Sequence, residues 1–211
     1  MRHLAVIATT VVVGFSASAA WARDDRACDY SDFIDAALAK GAEVSRVTVA
    51  RANFFNCPDA APACQRKAYV VAKNAVLVTK ARNGWACAWY AGAKTPTVGW
   101  LRASDLTKSA PNDKPLGWLG DWSFADSTIT VTRDAHGGLH VGGDTVNTHR
   151  ASLPSGGFEG DLMVDGPTGV FADAALPACT LTFRRVDRYL IASDGEGCTG
   201  VGATFMGVYT R

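Results

Sequence analysis

Between Ala68 and Leu106 the chain alternates short β-branched runs with turn residues every few positions. That rhythm leaves room for little but a small antiparallel barrel. Tyr69–Ala72 and Val76–Lys80 read as strands. Arg82-Asn83-Gly84 reads as a tight turn, because Asn-Gly accepts positive φ at low cost. Trp85–Tyr90 is the return strand, Gly92–Pro96 a loop, Val98–Leu101 a further strand, and Ser104-Asp105-Leu106 a closing turn. Trp85, Trp89, Tyr90 and Trp100 are gathered here. Trp85 and Trp89 share one strand face by period two, and Tyr90 faces the other way.

The first 22 residues read as a leader. Arg2 and His3 precede an apolar run from Leu4 to Phe15, and Ala20-Trp21-Ala22 fits an A-x-A cleavage site, with Ala19 as the competing position. The run is too short to span a bilayer, which takes about 20 residues. No lipobox precedes Cys28, so no stable membrane anchor is expected. The chain is therefore read as periplasmic or secreted. All six cysteines follow the leader. An even count in an exported chain implies disulfides, with 15 possible pairings. The expected set is Cys28–Cys87, Cys57–Cys64 and Cys179–Cys198. Zinc is the competing use, but no C-x-x-C spacing is present.

Asp29–Lys40 has Phe33, Ile34, Ala37 and Leu38 at helical spacing, a capping Asp29 or Ser31, and Gly41 at its exit. Val44–Ala50 reads as a strand. Asn53–Cys64, with two prolines, reads as a loop closed by Cys57–Cys64. One of Phe54 and Phe55 should be core, and Phe54 is carried as a binding candidate.

Residues 23–106 thus form one module with an N-terminal helix. Residues 107–115, TKSAPNDKP, form a linker, and 116–211 a second module. The latter should hold about seven short strands in a sandwich or barrel: Ser127–Arg133, Leu139–Gly142, Phe158–Val164, Val170-Phe171, Cys179–Arg184, Tyr189–Ser193 and Thr204–Tyr209. A hairpin about Asp187-Arg188 brings Cys179 near Cys198. The fold class is mostly β.

Two resemblances extend this reading. Val76-x-Val78, Gly84-Trp85, Gly99-Trp100-Leu101 and Leu106, in that order, resemble the bacterial SH3-like domain; Cys87 is a departure from it. That resemblance implies a barrel that binds peptides, cell-wall fragments or other proteins, and names no ligand. Trp118-x-Gly120-x-Trp122, with the closing Gly207-Val208-Tyr209-x-Arg211, resembles small calycin-type barrels. Cys198-Thr199-Gly200 and Thr204–Tyr209 further resemble an uncharacterised family of exported proteobacterial proteins that joins the two modules. Its members tend to carry C-G-G where this chain has Cys198-Thr199-Gly200, and the family brings no assigned activity.

No residue set declares a reaction. His136, His140 and His149 share a module, but Gly137-Gly138 breaks any helix that would align the first two on a metal. Cys87 has no histidine base in its own module. Glu43, Glu159 and Glu196 fall at strand edges or glycine-rich loops, and Gly142-Gly143-Asp144 reads as a turn rather than a phosphate cradle. With 21 basic and 20 acidic residues, the net charge gives no field to gather nucleic acid. The expectation is a non-enzymatic binding protein without a cofactor, using Trp85, Trp89, Tyr90 and Phe54. Its partner would be a peptide, a cell-wall fragment or an exported protein. The alternative is an inhibitor or immunity-type protein against a cell-wall hydrolase, presenting a rigid loop such as Asn53–Cys64 or Gly195–Gly200.

Overall fold

The computed structural model describes residues 27–92, 95–110, 117–145, 156–195, 197–199 and 203–211. The leader, linker residues 111–115, His149 and Glu196 lie outside them.

Helix α1 (Tyr30–Lys40) forms where its signals stand. The Asp29 carboxylate accepts the Asp32 amide at 2.9 Å, and the Asp32 carboxylate takes the Asp29 amide in return. The Asp32 amide, desolvation aside, holds the Asp29 carboxyl below its usual range. Gly41, at φ +90°, ends the helix with its N–H on the Ala37 carbonyl. Phe33, Ile34 and Ala37 are completely buried.

The first sheet contains β1 (Glu43–Val47), β2 (Arg51–Phe55), β3 (Gln65–Val71), β4 (Ala75–Arg82), β5 (Trp85–Tyr90), β6 (Thr97–Arg102) and β7 (Leu106–Lys108), in the antiparallel order β3-β2-β6-β5-β4-β1-β7. One face gathers Phe54, Val70, Val76, Val78 and Leu101 into a core. The other carries Phe55, Leu77, Trp85, Cys87, Trp89 and Trp100. The Asn83-Gly84 turn has both residues at positive φ. Several boundaries differ from the sequence reading: β1 stops at Val47 rather than Ala50, and β3 begins at Gln65 rather than Tyr69. Asn53–Phe55 is strand, not loop, because consecutive aromatics each find a core: Phe54 on one face, Phe55 against Trp85 on the other at 4.7 Å. Thr107 and Lys108, read as linker, pair with β1.

The second sheet contains β8 (Gly120–Phe124), β9 (Ser127–Arg133), β10 (Leu139–Thr145), β11 (Gly156–Asp161), β12 (Met163–Asp165), β13 (Thr168–Ala172), β14 (Thr180–Val186), β15 (Tyr189–Asp194) and β16 (Gly207–Thr210). It is an antiparallel meander whose last strand returns to its first through Thr210 and Ser123. β11 and β12 flank Leu162, which is buried and donates its N–H to the Leu139 carbonyl at 2.8 Å. The strand expected over Phe158–Val164 bends there, pairing first with β10 and then with β13. The result is a nearly closed barrel. Trp122, Phe158, Phe171, Phe183, Phe205 and Tyr209 fill its core. The Trp122 indole donates to the Trp118 carbonyl at 3.1 Å.

Gly142-Gly143-Asp144 is a correction: it lies within β10. A Cβ on Gly143 would stand 2.5 Å from the Phe158 ring, so the glycine makes room for an aromatic rather than a turn. The last strand starts at Gly207, not Thr204. The Thr204 hydroxyl instead bonds Asp194 at 2.6 Å and accepts the Met206 amide at 2.9 Å.

The two sheets share a core. Phe33, Ile34 and Ala37 of α1 pack in one buried cluster with Leu77, Trp89 and Trp100 of the first sheet and Tyr189, Ile191 and Val208 of the second. The helix is a wedge between them. Cys28–Cys87 pins its leading end to β5, Cys57–Cys64 closes the β2–β3 loop, and Cys179–Cys198 ties the β14–β15 hairpin to the approach of β16. Three disulfides fit an oxidising, extracytoplasmic setting. No helix among the described residues is long and apolar enough to cross a membrane.

Candidate functional site

Phe54 is 0% exposed in the core of the first sheet, and Trp85 is 8% exposed beneath Phe55 and the Arg102 guanidinium. Both are buried in the core, so neither presents the binding surface expected of it. Tyr90 is half-buried and packs at the edge of the inner core.

Trp89 is placed differently. It ends the aromatic row of β5, where the first sheet meets the second. Its ring stands edge-on to Tyr189, with centroids 5.8 Å apart. It also walls a cleft of about 180 Å³ between the sheets. Ala91, Gly92 and Pro96 complete the first-sheet side; Ser123, Phe124, Ala125, Val208 and Thr210 form the other.

Local structure fixes the second wall. The β8–β9 hairpin turns at Ala125 with φ +50°, a left-handed conformation that costs a residue with a Cβ about 1 kcal/mol or more. Phe124 stacks on Tyr30 of α1 at 6.0 Å and leans on Tyr209 at 5.7 Å. The Tyr30 hydroxyl donates to the Met206 carbonyl at 3.4 Å. Burial raises the Tyr30 and Tyr209 phenols above their usual range, so both are neutral donors at ordinary pH.

The Trp89 indole N–H is buried and has no acceptor among the described residues. Such a donor costs about 1–3 kcal/mol relative to a satisfied one, and few persist in folded proteins. The cleft therefore offers an apolar body, two hydroxyl-bearing residues (Ser123 and Thr210) and one unused indole donor beside it. That set suits recognition of a group with a small apolar portion and an acceptor oxygen.

Other sequence candidates do not converge. Cys87 is in a disulfide. His136 sits in the β9–β10 turn, while His140 is in β10, 3.2 Å from Glu159 and 3.9 Å from Asp161. Among the described residues, no group of three or more His, Cys, Asp or Glu is placed to hold a metal. Glu43 pairs with Lys108 at the far edge of the first sheet. A broader groove of about 600 Å³ runs over the barrel's outer face, past Thr128, Thr130, Asp144, Glu159 and Asp173. Its carboxylates are partly engaged, Glu159 by His140 and Asp173 by the Ala175 and Leu176 amides.

Sequence reasoning found Trp89 but not Phe124, Val208 or Tyr30. Their only signal was apolar character next to a turn or a cap. Compared with protein families, curated proteins and solved structures, the chain matches none.

Proposed function

We propose that this chain is an exported, periplasmic binding protein, built from an SH3-like and a calycin-like module, that takes an extended peptide or cell-wall peptide at the cleft between them. The carrying observation is the buried Trp89 N–H without an acceptor among the described residues, beside a cleft contributed by both sheets. The indole N–H is covered in the free chain, so a backbone carbonyl of the ligand becomes its acceptor as the Trp89 ring shifts toward the cleft, and an alanine- to valine-sized side chain fits a 180 Å³ space. Sites between packed units that combine apolar walls with few polar groups are where small ligands bind.

The test titrates the mature chain with N-acetyl-tripeptide amides carrying Ala or Val at the centre, and with soluble cell-wall peptides, by calorimetry. Trp89→Phe keeps a ring and deletes the donor. Binding by at least one probe, weakened tenfold or more in the variant, supports the reading. Absence of binding, or equal binding to both proteins, removes it.

A second reading, inhibition of a cell-wall hydrolase, draws on the exposed, disulfide-closed loop between Cys57 and Cys64. That loop is braced by the Asn56 amide on the Cys64 carbonyl at 2.8 Å and by the Ala61 amide on Asp59 at 2.9 Å. An unchanged lysozyme or amidase rate at saturating protein rejects it.

A further inference from the structure

The near-zero net charge conceals two opposite halves. Residues 43–110 carry ten lysines and arginines against three acids; residues 117–211 carry six against eleven. Charge segregation on this scale produces local fields that the total does not report.

The basic half ends in an open strand edge. β3 is the terminal strand of its sheet and pairs with β2 alone. The Val71 N–H bonds the Asn74 side chain at 3.0 Å and its carbonyl takes the Asn74 N–H at 3.0 Å, so both groups point away from β2. Antiparallel ladders alternate, so the Tyr69 N–H and carbonyl, two residues earlier, point outward as well, and no protein partner for them stands among the described residues. Asn74 caps the edge at Val71 and leaves it open at Tyr69.

The side chains around this gap share one character. Tyr69 is 50% exposed and Val71 42%, unusual for residues of their size. The Arg51 guanidinium lies 3.9 Å over the Tyr69 ring, and Lys67 and Lys73 are exposed on either side. Natural edges are blunted by charge or prolines. This one is charged with a single sign, which repels basic strands and a second copy of itself while attracting acidic ones.

We propose that the β3 edge docks an extended peptide segment with acidic side chains, added as an extra strand beside Tyr69. The peptide's backbone pairs with the outward Tyr69 groups, its carboxylates meet Arg51, Lys67 and Lys73, and an apolar residue lies on Tyr69 and Val71. Strand addition of this kind draws affinity from main-chain bonds and selectivity from side chains. This surface is separate from the cleft at Trp89.

The experiment uses the mature chain and three acetylated octapeptides: alternating Glu and Val, alternating Lys and Val, and the Glu-Val sequence with alternate amides N-methylated. Titrations are followed by NMR and by amide exchange. The Glu-Val peptide should bind, slow exchange at Tyr69, and weaken at least tenfold between 50 and 300 mM salt. Arg51→Glu with Lys67→Glu should weaken binding read at the Tyr69 amide at least tenfold, and Trp89→Phe, which reports on the cleft, should leave protection of that amide unchanged. The Lys-Val and N-methylated peptides should not protect Tyr69, whatever they do at the Trp89 cleft. No protection of Tyr69 at 1 mM peptide, equal protection by the basic or N-methylated peptide, or insensitivity of that protection to the double charge reversal overturns the proposal. Tight binding of anionic lipid vesicles without the peptide also overturns it, by assigning the patch to a membrane surface.

Discussion

Trp89 and Tyr189 belong to different sheets and meet edge to face, ring centroids 5.8 Å apart. The contact matters because neither residue could be buried by its own sheet. Trp89 is 2% exposed and Tyr189 equally so, and both depend on α1 and on each other for cover.

The indole of Trp89 separates packing from hydrogen bonding. Trp89→Phe removes an unsatisfied donor along with part of the ring, so its cost should stay within about 1.5 kcal/mol. Trp89→Ala should cost about 3–5 kcal/mol. Guanidinium melts check this: equal losses would mean that the N–H is satisfied in solution, against the proposed site.

Because the wedge serves both sheets, the two sheets should unfold together. Fluorescence and far-UV circular dichroism should give coincident transitions. Phe33→Ala should lower both midpoints together, by about 3–5 kcal/mol. Two separated transitions in the wild type would contradict a shared core.

The disulfides should not be equal. Cys28–Cys87 closes a separation of 59 residues and Cys57–Cys64 one of 7. Loop-closure entropy assigns about 4 kcal/mol to the first and about 2.5 kcal/mol to the second. Paired Cys→Ala variants, compared by denaturant titration, should follow that order; a reversed order would place the main effect in the native state.

Alkaline pH should loosen the structure through Tyr30 and Tyr209. Both phenols titrate higher when folded, because burial disfavours their anions. Below pH ~10 the unfolded phenols are also neutral and the shift contributes nothing. Above it the unfolded chain releases protons first, so stability falls by about 1.4 kcal/mol per pH unit for each group. Tyr30→Phe should remove about half of the slope measured between pH 10 and 12, and an unchanged slope would assign it elsewhere.

Gly143 should be irreplaceable by even one methyl. Gly143→Ala drives a Cβ to 2.5 Å from the Phe158 ring and 3.0 Å from the Thr128 carbonyl, so overpacking should cost about 1–3 kcal/mol. Phe158→Leu in the same chain should recover part of it. Thermal midpoints of the two variants decide.

Much of this fold was legible because its signals are local. Asp29, Gly41 and the apolar spacing between them specify α1, and Asn83-Gly84 specifies its hairpin. The three disulfides match the expected set, which rested on pairing within each half and, for Cys179–Cys198, on the hairpin turn at Asp187. What was not legible depends on distant partners. The glycines of β10 looked like a turn because their reason, the Phe158 ring, arrives only with the next strand. Asn53–Phe55 looked like loop because the neighbouring prolines and Asp outweighed two aromatics that serve opposite faces. The site was half legible: Trp89 stood out in its row, but the wall facing it is assembled from Phe124, Ala125 and Val208 of the other module.

The wedge also sets an order of events for a chain that emerges N-terminus first. α1 is made early, yet its neighbours arrive late: Cys87 and Trp89 only with the fifth strand of the first sheet, Tyr189, Ile191 and Val208 only near the end. Until residues 189–208 are made, the cluster around Phe33 and Ile34 lacks the part that the second sheet supplies. The element that joins the molecule is thus the last to be sheltered, and an interrupted chain would carry its stickiest face outward.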